Sequence, residues 1–195
     1  MLILLNIASQ WGRSVIAAMN GFGVIGLRDK PYYNITLDLE GYTKNAYAII
    51  VGPAYNIIFA VCLLFTGQFA DNFNRKHCIV LATLLCGIIT FLSGYATTVN
   101  HLIIIRVIYG FCCAFVIPCQ YSLVADYFPP LMRTRAFSVY IVLQQLSDSV
   151  SSFTNNLIVV TGWRNAFKVC GGFGIAVSLL ASLTMVDPPR DKTEE

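Results

Sequence analysis

Between Ala46 and Ala96 the chain has one polar interruption, the ten residues GQFADNFNRK from Gly67 to Lys76. Apolar runs of bilayer length flank it on both sides. A connection this short returns the two runs antiparallel, and it gathers an acid, Asp71, and two cations, Arg75 and Lys76, at one membrane face. The rest of the chain repeats the arrangement. Six segments are long enough to cross about 30 Å of hydrocarbon, which takes roughly 20 residues. They are Leu2–Leu27, Ala46–Ala70, Cys78–Ala96, Leu102–Ala125, Ala136–Val160 and Ala166–Val186. Each must be helical, because backbone groups in lipid find no water to bond. Composition agrees: 56% hydrophobic and 12% charged residues leave too little polar material to coat a soluble domain. The expectation is an all-α multi-pass membrane protein, with residues 1–195 as a single six-helix transmembrane domain.

Orientation follows from the loops. With six spans, one side carries Arg75, Lys76, Arg133, Arg135, Arg190 and Lys192; the other carries Arg28, Lys30, Lys44, Arg164 and Lys168. The slight excess on the first side, by the positive-inside rule, places both termini in the cytosol. The sequon Asn34-Ile35-Thr36 falls on the opposite side, so Asn34 is a glycosylation candidate there. The first span is no signal peptide on this reading, since Gln10 and Arg13 break its apolar core and no basic segment precedes it.

Several apparent motifs carry no chemistry. Gly21-Phe22-Gly23-Val24-Ile25-Gly26 fits the dinucleotide-binding spacing but closes a membrane span instead of joining a strand to a helix. Its glycines, and Gly171-Gly172-Phe173-Gly174 later, suit close helix contact. The seven cysteines lie almost wholly in apolar spans without metal-site spacing and read as packing residues. His77 and His101 lack a carboxylate or serine at motif spacing. An enzyme, a metal site, a cofactor and a nucleic-acid partner are therefore not expected.

The polar residues inside the spans carry the functional reading. Charge at membrane depth is costly and faces a partner or a watery cavity. In the first span Asn6, Gln10, Arg13 and Asn20 share one helical face. In the fourth, Arg106, Gly110, Cys113 and Gln120 follow the same rhythm. The fifth is the most polar: Gln144, Asp148, Ser151 and Asn155 form a stripe, with Gln145, Ser149, Ser152 and Asn156 beside it. Either these groups bond between helices and hold the bundle together, at about 0.6 kcal/mol each, or they line a hydrated substrate cavity. Three striped helices, and eight polar residues in the fifth, favour the cavity. Asp148 is the one acid deep in a span, and Arg13 or Arg106 is its expected partner.

The loop from Gly67 resembles that between the second and third helices of the major facilitator superfamily: a glycine, an acid at Asp71, then the basic pair Arg75-Lys76. Asn74 before that pair looks most like the spinster branch, carriers of lysolipids and sphingolipids. The resemblance extends along the chain through Arg106, Gly110 and Asp126 in the fourth span, Phe128-Pro129-Pro130 and Arg133-Thr134-Arg135 after it, Gly162-Trp163-Arg164 with Phe167, and Asp187-Pro188-Pro189-Arg190. It implies the N-terminal six-helix half of a twelve-helix carrier, two inverted three-helix repeats with substrate near the midplane.

The resemblance also implies a cytosolic gate. Gly67, Asp71, Arg75, Lys76, Asp126, Arg133 and Arg135 would form its charge cluster. Asp71 and Asp126 both stand at helix C-termini, where the dipole disfavours an anion and a cation is needed nearby. The chain departs from spinster-like carriers where Gly12 and Cys113 stand at positions that commonly hold acids. The implied function is transport of a small or amphipathic organic solute (lipid-like, sugar-phosphate or organic anion) by alternating access, in the plasma membrane or an endolysosomal or vacuolar membrane. Either the chain is a fragment of a longer gene product, or a second copy or a separate half would supply the opposing wall, with membrane lipids the surroundings. The alternative is a non-transporting half-size membrane protein that binds or regulates a partner.

Overall fold

The computed structural model describes residues 1–21, 39, 44–72, 74–151 and 153–185. Among them the chain is almost wholly helical: α1 Leu2–Gly21, α2 Lys44–Val51, α3 Pro53–Asn72, α4 Arg75–Ser93, α5 Val99–Tyr127, α6 Pro130–Ser151, α7 Thr154–Thr161 and α8 Trp163–Thr184. These eight segments make six spans. Across the α2–α3 junction Gly52 N donates to Ala48 O at 3.0 Å and Asn56 N to Gly52 O at 2.9 Å, so helical bonding continues past Pro53. Proline opens α3 at the position where its missing N–H costs least. Segments α6 and α7 together form the fifth span.

Among the described residues, four helices have the length and apolar content to cross a bilayer: Ala48–Gly67 and Val99–Tyr127, each with mean hydropathy 2.3, Arg75–Ser93 with 1.8, and Trp163–Thr184 with 1.7. The two remaining spans, α1 and α6–α7, carry two of the three polar stripes; the third lies on α5.

Three boundaries differ from the sequence-based expectation. The loop between the second and third spans is far shorter than its ten polar residues suggest, because α3 runs through Asn72 and α4 starts at Arg75. Asn72 ends a helix, and Asn74 caps the next by accepting from Lys76 N at 3.1 Å. Polar side chains at a membrane surface do not oppose helix, since water satisfies the free end groups. The fifth span begins at Pro130, not Ala136, which moves Arg133 and Arg135 from a loop onto α6. It is also interrupted between Ser151 and Thr154, so the polar stripe from Gln144 to Asn155 crosses a helix break.

Helix α4 packs most extensively on α8 and also on α5; α3 packs on α5, and α1 on α6 and α8. The α4–α8 seam is a backbone contact. A Cβ at Gly171 would lie 2.4 Å from Phe91 N and 2.6 Å from Phe91 Cα, which only a glycine avoids. Helix α5 contains Pro118, which cannot donate to the carbonyl of Ala114. Thr66 of α3, 1% exposed, donates its hydroxyl to that oxygen at 3.0 Å. The defect in one helix is thus satisfied by its neighbour. The outer face of α3, with Ile57, Val61, Leu64 and Phe65, is exposed, the arrangement lipid or another apolar wall requires.

Candidate functional site

The stripes of α1, α5 and α6 turn toward each other. Asn6 and Gln10 on α1 are buried, as is Gln120 on α5, and Tyr140 on α6 closes the group. Asn6 Nδ2 donates to Gln120 Oε1 at 3.1 Å and to Tyr140 Oη at 3.0 Å, while Tyr140 Oη donates to Gln120 Oε1 at 2.5 Å. Three spans are joined by one triangle of hydrogen bonds. Beside it lies a cavity of about 20 Å³ lined by Asn6, Gln10, Arg13, Cys113, Gln120 and Gln144, with Tyr55 contributed by α3.

Arg106 and Cys113 occupy different surroundings although they share a helical face. Cys113 reaches the cavity and its Sγ lies 3.5 Å from Cys86 Sγ on α4. Arg106 does not line that cavity. It is 4% exposed, rests over the Tyr109 ring at 5.2 Å, and makes no ion pair among the described residues. Tyr109 in turn donates to Ser9 O on α1 at 2.8 Å. Its hydroxyl also fills the space beside Gly12: a Cβ there would meet Tyr109 Oη at 2.7 Å and Thr90 Oγ1 at 2.9 Å. An acid at Gly12, where the resemblance would place one, would need the Tyr109 and Thr90 side chains to move aside.

Asn20 lies on α1, Asp148 and Ser151 on α6, and Asn155 on α7; their side chains fall outside the described residues, as does the pairing expected of Asp148. Asn34 lies outside them altogether.

At the end of the bundle where α3 meets α4, Arg75 pairs with Asp126, their side chains 20% and 25% exposed. Lys76 sits beside Arg75 with its backbone N–H held by Asn74. Among the described residues Arg133 pairs with no acid; its Nε donates to Ala125 O at 3.1 Å and Phe128 O at 3.3 Å, covering carbonyls at the end of α5. Arg135 instead lines an apolar groove of about 740 Å³ with Leu2, Val124, Met132, Val139 and Tyr140. Asp71 is the penultimate residue of α3, and its side chain is outside the described residues. Gly67 is exposed on the same helix, with open space where a Cβ would go.

Sequence reasoning passed over Tyr140, Tyr55 and Ser9. Tyr140 stands four residues before Gln144, so extending that stripe by one turn would have found it. Nothing comparable marked Tyr55, which reaches the cavity from a helix without a stripe.

Residues 3–195 match the profile of the Major Facilitator Superfamily. The chain belongs to that superfamily. Its members are membrane transporters, not enzymes, and the chain is accordingly an integral membrane protein. It is 27% identical over 166 residues to a probable small intestine urate exporter of Mus musculus, covering 83% of this chain and 32% of that one. It is 23% identical over 183 residues to an uncharacterised transporter of the same superfamily from Methanocaldococcus jannaschii, covering 93% and 46%. A probable sulfoacetate transporter of Cupriavidus necator is 26% identical over 141 residues, 72% of this chain and 33% of that protein. Among solved structures, a bacterial homolog of the human lysosomal transporter Spinster, inward-facing and unoccupied, superposes with a TM-score of 0.81 at 21% identity, over 100% of this chain and 43% of that one. The same homolog in an occupied inward-facing state gives 0.74 at 22% identity, over 97% and 44%. This superfamily member therefore has the Spinster homolog's fold and spans less than half the length of each of these relatives.

Proposed function

We propose that residues 1–195 form one helical bundle of an alternating-access carrier for a small or amphipathic organic solute. The observation that carries the reading is the convergence of α1, α5 and α6: each turns polar side chains, buried on α1 and α5 and half-buried on α6, to one cavity in the interior of a membrane bundle, where such groups are costly unless a partner or a solute uses them. Carriers of this fold bind substrate between two bundles near the midplane. Asn6, Gln10, Arg13, Cys113, Gln120 and Gln144 are the wall this bundle contributes, with Asn20, Arg106, Asp148, Ser151 and Asn155 further along the same three spans. The opposite wall belongs to a second six-helix half, whether carried on the same polypeptide, on a second copy or on a separate chain.

An amphipathic solute suits the surfaces. Tyr140 lines the apolar groove and its hydroxyl is bonded to Asn6 and Gln120 of the polar cavity, so a polar head and a hydrocarbon part find adjacent surroundings. The spinster-like loop at Gly67–Lys76 supports a lipid-like solute, in an endolysosomal, vacuolar or plasma membrane, and the charge bias of the loops supports cytosolic termini. In this reading the Arg75–Asp126 pair, with Gly67, Asp71, Lys76, Arg133 and Arg135, is the cytosolic gate.

The test uses Cys113 as a native probe. In a variant retaining only this cysteine, a membrane-impermeant methanethiosulfonate should modify it from one compartment, and solute should slow the modification. Complete protection from both compartments would reduce the chain to an inert, hydrogen-bonded bundle. Solute flux in reconstituted vesicles, with the mass of the solubilised complex, separates a carrier from a half-size protein that only binds a partner.

A further inference from the structure

The triangle joining α1, α5 and α6 is incomplete. Asn6 Oδ1 and Gln120 Nε2 have no hydrogen-bond partner, and their residues are 3% and 1% exposed. Buried polar atoms in native proteins are ordinarily paired, so a missing partner on each residue of this bonded pair points to an occupant. Both residues line the cavity of about 20 Å³, which has room for about one water-sized group.

The chemistry of that group follows from the two atoms. Asn6 Oδ1 accepts and Gln120 Nε2 donates, so the occupant must donate once and accept once within the volume of a single oxygen. A hydroxyl does both. A carboxylate or an ether only accepts, and an ammonium only donates; each leaves one atom unpaired. Exchanging the nitrogen and oxygen of both amides keeps the complement the same, one free donor and one free acceptor.

We infer that Asn6 and Gln120 form a subsite for a hydroxyl group of the transported solute. The inference rests on the carrier reading above and narrows its solute to a hydroxyl-bearing one. Tyr140 fixes the geometry. Its hydroxyl holds the Asn6–Gln120 pair together, so the pair's outer atoms stay directed away from each other's bonds, and its ring forms part of the apolar groove of about 740 Å³. A solute whose hydroxyl sits at the pair has hydrocarbon-compatible surface one phenol ring away. Selection is then for an alcohol attached to an apolar skeleton, and against the matching ether.

The test is native mass spectrometry of the full chain released from lipid nanodiscs and titrated with 1-O-dodecylglycerol or its di-O-methyl ether. The two share a chain and differ in donors. The diol should bind the wild-type chain about tenfold or more tightly than the diether, the scale of one unmade buried hydrogen bond. In Asn6→Leu, which removes the Oδ1 acceptor that only the diol can donate to, the preference should fall to about unity. Gln120→Met, which removes the Nε2 donor that serves diol and diether alike, covers the case in which the Asn6 variant does not fold; it should weaken both ligands and keep the preference. Equal binding of diol and diether to the wild-type chain, as expected if the cavity holds only water, overturns the subsite. So does a preference that persists in Asn6→Leu, or an affinity for both ligands that Gln120→Met leaves unchanged. Selective binding without flux of the diol into vesicles removes the carrier reading and leaves the subsite standing, whereas flux without selectivity does the reverse.

Discussion

Thr66 donates its hydroxyl to the carbonyl of Ala114 at 3.0 Å, the oxygen that Pro118 leaves without a helical partner. Two helices are joined where one of them is defective. In lipid no water can take the role of that donor, so the bond should be worth more than its counterpart on a protein surface. Thr66→Val keeps the shape and removes the donor. It should lower stability by about 1–3 kcal/mol, the cost of orphaning a buried acceptor. Pro118→Ala restores a backbone donor to the same oxygen, so in that background Thr66→Val should be nearly silent. Additive losses in a double-mutant cycle of detergent unfolding would refute the pairing.

The α4–α8 seam makes a second prediction. Gly171 faces the Phe91 backbone at distances no Cβ tolerates, while its neighbour Gly172 has open space. Gly171→Ala should destabilise by about 1–3 kcal/mol, the usual cost of overpacking. Gly172→Ala should be neutral or stabilising by up to about 1 kcal/mol, from helix propensity. Thermal unfolding of the two single variants, side by side, reads the difference directly.

The Arg75–Asp126 pair is partly exposed and should contribute little to stability. Its double-mutant coupling is expected at about 0.2–1 kcal/mol and should shrink with added salt. The charge swap Arg75→Asp with Asp126→Arg should restore most of whatever either single change removes. If the pair gates transport, Asp126→Asn should alter flux far more than it alters the melting temperature. Equal, small effects on both would assign it to interfacial anchoring.

Arg106 presents the opposite balance. It is buried, rests on Tyr109, and its Nε has no partner, so its charge is an expense to the fold. Arg106→Met should be neutral or stabilising, by up to about 3 kcal/mol, and should at the same time cut solute flux about tenfold or more. A variant that unfolds would mean that the guanidinium is structural. One that unfolds no more readily and transports normally would remove Arg106 from the site.

How much of this could be read from the residues varies with the kind of signal. Six apolar runs of bilayer length fixed the class of fold, because hydrocarbon allows so few alternatives. The stripes on the first and fourth spans were legible for the same reason, polar groups being rare at that depth. The loop at Gly67–Lys76 was misjudged because asparagine reads as a helix breaker, whereas here Asn72 ends one helix and Asn74 caps another. The interruption after Ser151 left no glycine or proline to announce it. Tyr140 and Tyr55 escaped because an aromatic ring in a membrane helix suits lipid as well as a cavity, and only the position of a distant side chain decides between them. Arg133 carried the right charge for an ion pair but serves carbonyl oxygens of the preceding helix.

The contact of Gly171 with Phe91 has a mechanical corollary. Backbones that touch cannot slide past each other without a clash, so α4 and α8 behave as one stiff slab. Flexing within this half is then left to its margins, the helices that lie outside the slab. Any tilting that opens the bundle should be sought there.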